Sequence, residues 1–204
     1  MLSENGLHET ALRTATGTNS PSWGYWWSQG LTTCAEAFTN NFTTQIEGGT
    51  LNHIFLCGGI GEWYWKHLVG LTPTAPGFAA VSIAPKIHDQ VGPKTVGGEF
   101  RSPKGLISSR WNITAKGVTL TASLPVGVQQ AIIVVPKPML NGQPISPVVV
   151  TLGGTTIWDG SQLVGNPDGV TAAKDLENGV SFSTSNGHFV FQSSVQSWIP
   201  KHIN

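Results

Sequence analysis

Near residue 72 the spacing of apolar residues changes from helical to alternating, so the chain must fold as helices followed by strands. Before that point Leu2, Leu7, Ala11, Leu12 and Ala15 recur at helical intervals, with Ser3 and Asn5 as possible caps, which predicts a helix over residues 3–16. Turn-forming residues 17–24 follow. A second helix is expected over 26–38, weakened by Thr32 and Thr33. A loop rich in Asn, Thr and Gly leads to Thr50, placed to cap a third helix over 51–69. That third segment is almost wholly apolar and carries Gly58, Gly59 and Gly61, so it should be buried among other helices. Three helices this apolar cannot satisfy one another alone.

The segment LTPTAPG, residues 71–77, stops the helix with two prolines and reads as a linker. Beyond it come VSIAP, LISSRWNI, VTLTASL, AIIVV, VVVTL, VSFST and HFVFQSS, each alternating and each bounded by Gly, Pro or Asn. Seven or more short strands at this spacing predict an antiparallel β-sandwich. The expected fold class is α+β in two segments, with domains at 1–72 and 73–204.

Charge narrows the partners. Eleven basic and eleven acidic residues cancel, with no run of Lys or Arg, so neither nucleic acid nor an anionic membrane is an expected partner. No window approaches 18 uninterrupted apolar residues, which argues against a membrane-spanning helix. The N-terminus lacks a basic stretch followed by an apolar one, so no signal peptide is visible and the compartment stays open. Asn41-Phe42-Thr43 and Asn112-Ile113-Thr114 would accept N-glycans only in a secreted eukaryotic protein. Cys34 and Cys57 fit no metal spacing; buried free thiols are the expected state, with a disulfide as the alternative. No metal and no cofactor is expected.

The stretch SPSWGYWWSQGLTTCAEAF, residues 20–38, sets three tryptophans and a tyrosine beside one acidic residue, Glu36. Pyranose rings stack their C–H faces on aromatic rings while their hydroxyls need polar partners, so such a cluster suggests a carbohydrate site. Tryptophans in helical segments are more often core than ligand platforms, and Glu36 read alone is equally a surface charge or a capping partner. Its functional reading is a general base that activates water in a glycosidase.

The order of motifs adds a resemblance. The run from SENGLHETALRTATG through PSWGYWWSQGLTTCAEAF to GGTLNHIFLCGGIGEWYWKHLVGL resembles the last part of the catalytic domain of family-78 glycoside hydrolases, the α-L-rhamnosidases. VSIAPKI and GGEFRSPKGLISSRWNI resemble the β-sandwich that closes those enzymes, and the likeness thins beyond residue 136. The resemblance implies that residues 1–72 are the final helices of a six-hairpin (α/α)6 barrel acting with inversion. The family's G-x-T-T-x-x-E falls on Gly30-Leu31-Thr32-Thr33-Cys34-Ala35-Glu36, which would give Glu36 the role of general base. Asn52-His53 matches the family's N-H pair, which would give His53 a hydrogen bond to the sugar. Trp26, Trp27, Trp63 and Trp65 would line the barrel wall, Trp26 or Trp27 reaching the pocket; Glu62 would make a structural hydrogen bond. Ala35 and Ala37-Phe38 stand where many relatives carry Trp before and Arg-Trp after the glutamate, so the neighbours of the carboxylate differ.

Inversion needs an acid and a base about 6.5 to 9.5 Å apart with water between them. The resemblance places the acid and most sugar-gripping residues upstream of this chain. The expectation is therefore the C-terminal fragment of an inverting α-L-rhamnosidase, incomplete alone, with rhamnosylated glycosides or polysaccharides as substrates and the missing N-terminal barrel segment as partner. The alternative is a non-catalytic carbohydrate-binding or accessory β-sandwich module, for which exposed Trp111, Trp158 or Trp198 would be the platforms.

Overall fold

The computed structural model describes residues 1–38, 50–53, 55 and 58–195. The chain divides into two compact units, Met1–Tyr64 and Trp65–Asn204.

The first unit is helical but less so than the sequence predicts. A 3₁₀ turn at Ser3–Asn5 precedes α1, His8–Thr16, which buries Ala11, Leu12 and Ala15 on one face. Ser3 does not cap α1. Its hydroxyl oxygen instead accepts from Trp63 Nε1 at 2.8 Å and sits 2.9 Å from His8 Nδ1. Helix α2 covers only Trp23–Ser28, so the predicted second helix is corrected: residues 29–38 leave the helical path after Gly30, whose φ of 80° turns the chain back. Residues 50–53 are also non-helical, and α3 spans Gly58–Trp63 before a π-helical turn, Tyr64–Val69. No residue of α3 is buried; within the segment expected to be buried, His67, Leu68 and Val69 of the π-helical turn are.

The free-thiol expectation is also corrected. Cys34 is buried and disulfide-bonded, and no free cysteine occurs among the described residues. The chain's other cysteine, Cys57, lies outside the described residues, as do Asn41 and Trp198.

The second unit holds the strands. In chain order they are β1 Leu71–Pro73, β2 Ala80–Ile83, β3 Thr95–Ser102, β4 Gly105–Thr114, β5 Gly117–Leu124, β6 Gln130–Pro136 and β7 Met139–Leu140. Then come β8 Gln143–Pro144, β9 Val148–Leu152, β10 Thr155–Trp158, β11 Val170–Asp175, β12 Gly179–Thr184 and β13 Gly187–Val195. They form a five-stranded sheet, β1-β2-β6-β12-β11, a six-stranded sheet, β10-β9-β13-β5-β4-β3, and a small β7-β8 hairpin. Pairing is antiparallel throughout except between β2 and β6, which run parallel. Alternation does what the sequence predicts: β4 buries Ile107, Ser109 and Trp111 and turns Ser108, Arg110 and Asn112 outward. The inner faces meet where Phe182 of one sheet stacks on Phe191 of the other, ring centroids 5.2 Å apart.

Two carbonyls at the end of the π-helical turn are taken up by β4. Trp111 Nε1 donates to Leu68 O at 2.6 Å and Ser109 Oγ donates to Val69 O at 2.8 Å, which ties that turn to the sheet. Gly98 makes the approach possible, since a Cβ there would lie 2.8 Å from the Trp65 ring.

Asp89 fixes the β7-β8 hairpin. Its carboxylate accepts from the backbone N–H groups of Asn141 and Gly142, both at 2.8 Å, in a turn where both residues have positive φ. Burial acts to raise the carboxyl's pKa, but those hydrogen bonds, one from its own backbone and the His88 charge together hold it below its usual value of 3.8. A depressed folded-state pKa means the contribution is fully present above 3.8 and is lost as pH falls through the folded value. Asp89→Asn should cost about 1–2 kcal/mol at neutral pH. In urea melts the gap between the two proteins should begin to narrow at about pH 4 and close only as pH falls through the depressed folded-state pKa.

Candidate active site

The PSWGY stretch builds the floor of the site. Ser22 caps α2, its Oγ accepting from Tyr25 N at 2.9 Å while its hydroxyl reaches the carbonyls of Gly17 and Asn19. Gly24 is required at the next turn because a Cβ would stand 2.5 Å from Gly17 O and 2.8 Å from Thr16 O. α2 thereby packs directly on the end of α1. Tyr25 and Trp26 are buried with Cys34 and Ala35, and Trp23, Leu31 and Leu51 pack around them.

Two backbone hydrogen bonds then bring the G-x-T-T-x-x-E stretch against the N-H stretch. Glu36 N donates to Thr50 O at 2.8 Å, and His53 N donates to Cys34 O at 2.7 Å. Thr33 Oγ1 adds a bond to Asn52 Oδ1 at 3.1 Å. These bonds hold residues 33–36 against residues 50–53. The Glu36 carboxylate lies 3.7 Å from His53 Nδ1, and its Oε2 also accepts from Thr50 N at 3.0 Å. Both side chains are solvent-accessible, 43% for Glu36 and 30% for His53, so a water or sugar hydroxyl can reach them.

The tryptophans separate. Trp26 is buried and stacks on Phe38 at 4.4 Å with the planes 9° apart, which places Phe38 between Trp26 and solvent two residues beyond Glu36. Its Nε1 is buried and has no hydrogen-bond partner among the described residues. Trp27, by contrast, is 66% exposed and enters no ring contact among the described residues. Phe55, unanticipated from the sequence, is 82% exposed and meets the His53 ring edge-on at 5.8 Å. An exposed aromatic two residues after a candidate ligand was the available signal. Thr50, expected to cap a helix, instead donates its N–H to the Glu36 carboxylate and accepts from the Glu36 backbone N–H through its carbonyl. Glu62 is exposed, and the expected structural hydrogen bond is not seen among the described residues.

Chemically, this is one carboxylate held by a backbone donor and beside an imidazole, which suits proton abstraction from water. Glu4 and Glu9 are engaged elsewhere, with the N-terminal amine at 3.1 Å and with Arg13 at 2.7 Å. Among the described residues no group of three His, Cys, Asp or Glu side chains could hold a metal ion.

Comparison with known proteins decides the family. Residues 1–68 match the bacterial α-L-rhamnosidase 6 hairpin glycosidase domain, and residues 70–143 match the bacterial α-L-rhamnosidase C-terminal domain. The chain belongs to the α-L-rhamnosidase family. It is 30% identical over 132 residues to an α-L-rhamnosidase of Streptomyces avermitilis, a match covering 61% of this chain and 12% of the relative. It is 29% identical over 114 residues to one from an Alteromonas species, covering 53% of this chain and again 12% of the relative. The matched part is thus a small fraction of the curated α-L-rhamnosidases. Among solved structures, the α-L-rhamnosidase from Dictyoglumus thermophilum aligns with a TM-score of 0.75 at 21% identity, covering 95% of this chain and 20% of that one. The Streptomyces avermitilis enzyme, solved with L-rhamnose, aligns with a TM-score of 0.67 at 24% identity, covering 93% and 16%. These alignments support the fold: α-L-rhamnosidase helices followed by a β-sandwich.

Proposed function

We propose that this chain is the C-terminal part of an inverting α-L-rhamnosidase that hydrolyses terminal α-L-rhamnosyl residues, with Glu36 as general base and His53 as a sugar ligand. The carrying observation is the pairing of Glu36 with His53 inside the stretch that matches the six-hairpin domain. In this reading Glu36 takes a proton from water as it attacks the anomeric carbon, while the Thr50 N–H keeps the carboxylate in place. Trp27 is the ring of α2 open to a ligand, and Trp26 supports the site from below through Phe38. The two domains we propose are helices that finish a barrel and the sandwich that closes the enzyme; β1, Leu71–Pro73, pairs with β2 and so puts the boundary before residue 71 rather than at the expected 72/73.

Catalytic incompleteness is part of the proposal. Phe55, Trp27 and Leu7 are exposed in the helical unit and α3 buries nothing, as helices do when their neighbours in a barrel are supplied by another segment. The partner is then the barrel segment carrying the general acid. Given an aryl α-L-rhamnoside, the isolated chain should release rhamnose no faster than buffer. Rapid release that disappears in Glu36→Gln would overturn the incompleteness while supporting the base. The accessory-module reading has lost its platforms among the described residues: Trp111 and Trp158 are buried in the sandwich.

A further inference from the structure

The outward face of the six-stranded sheet carries a polar groove of about 360 Å³. Strand register builds it. Glu99, Ser108, Ser123 and His188 are direct partners across β3, β4, β5 and β13 and form one row; Gly97, Arg110 and Thr121 form the next. Adjacent strands lie about 4.8 Å apart and rows on one face about 7 Å apart, so the row from Glu99 to His188 spans about 14 Å, while Glu99, Ser108 and Arg110, one strand or one row apart, lie within reach of one small ring.

The glycine opens the groove. A Cβ at Gly97 would meet Arg110 Cζ at 3.0 Å and Nε at 3.2 Å, so the guanidinium lies across the β3 backbone where a side chain would otherwise stand. Ser123 Oγ and His188 Nδ1 are bonded at 2.8 Å, which fixes the far wall. Neither the Glu99 carboxylate nor the Arg110 guanidinium makes a side-chain hydrogen bond or ion pair among the described residues. A carboxylate and a guanidinium thus remain available on neighbouring strands, backed by hydroxyls.

We propose that this groove binds a single neutral sugar ring through adjacent hydroxyls. The charges of Glu99 and Arg110 offset each other, so the site has no net pull on an anion, and a carboxylate ligand would meet Glu99 at close range. A vicinal diol satisfies both: its hydroxyls donate to the Glu99 carboxylate and accept from the Arg110 fork, with Ser108 and Thr121 able to do either. The volume lies at the low end of the range for small-molecule sites, about 300–1,000 Å³, which suits one ring rather than an oligosaccharide. No aromatic lines the groove, so affinity should be modest, with Kd on the order of a millimolar.

The site stands in the second unit and does not depend on the hydrolytic reading of Glu36. The test is titration of the ¹⁵N-labelled full chain with L-rhamnose, methyl β-D-galactopyranoside and sodium D-glucuronate. At least one neutral sugar should shift the amides of residues 97–99, 108–110, 121–123 and 188 to saturation. Glu99→Gln and Arg110→Gln should each weaken that binding at least tenfold, and Gly97→Ala should do the same by displacing the guanidinium. These side chains are exposed, and unchanged thermal melts of the two Gln variants would exclude misfolding as the cause. Glu36→Gln should leave these shifts unaltered, whereas binding lost in Glu36→Gln would assign the sugar to the helical unit. The proposal is overturned if neither neutral sugar moves the groove amides, or if glucuronate binds there more tightly than both.

Discussion

Glu36→Gln is expected to lower kcat by about 10²- to 10⁴-fold in an enzyme whose barrel is complete and ends in this chain. The substitution keeps the side chain's volume and one carbonyl oxygen, so the bond from Thr50 N–H can persist while the capacity to take a proton is lost. kcat and kcat/KM should fall together with KM little changed, because the proton transfer exists only in the transition state. A change confined to KM would demote Glu36 to a binding residue. His53 serves as the contrast: His53→Gln should raise KM for the rhamnoside, since its proposed contact is with bound sugar.

The second large effect is structural. Trp111→Ala should destabilise the sandwich by about 3–5 kcal/mol, the cost of a large cavity at a fully buried position. Trp111→Phe separates packing from hydrogen bonding. It keeps an aromatic ring but leaves Leu68 O without its 2.6 Å donor, which should cost about 1–3 kcal/mol. Urea denaturation midpoints followed by circular dichroism would measure both. Near-equal losses in the two variants would place the whole effect in the hydrogen bond.

The sandwich was legible because alternation encodes which face is buried without reference to distant partners. VTLTASL became β5 and VSFST became β12 almost to the residue. The parallel pairing of β2 with β6 was not legible, since alternation reports faces and says nothing of neighbours. The helices read less well. Residues 29–38 have helix-compatible spacing, but the positive φ at Gly30, the Trp26–Phe38 stack and the Glu36–Thr50 backbone pairing take them off the helical path. Those are tertiary interactions, and propensity is only a weak guide against them. At the candidate site, the sequence named Glu36 and His53, and the structure places them 3.7 Å apart. It gave no means of seeing that Trp26 would be covered by Phe38, or that Cys34 would be bonded, because burial and pairing depend on what lies opposite.

The parallel pairing also bears on how the chain is made. β2 is finished at Ile83, yet its neighbour β6 begins only at Gln130, and the carbonyls of Leu68 and Val69 wait for β4. During synthesis β2 can pair with β1 as soon as it emerges, but its other edge has no neighbour until β6 follows. Such long-range pairing forms slowly, and the stretch it leaves uncovered is where a nascent chain associates wrongly. For this chain the order of emergence is therefore not the order of docking: the middle of the sandwich must arrive before its beginning can settle.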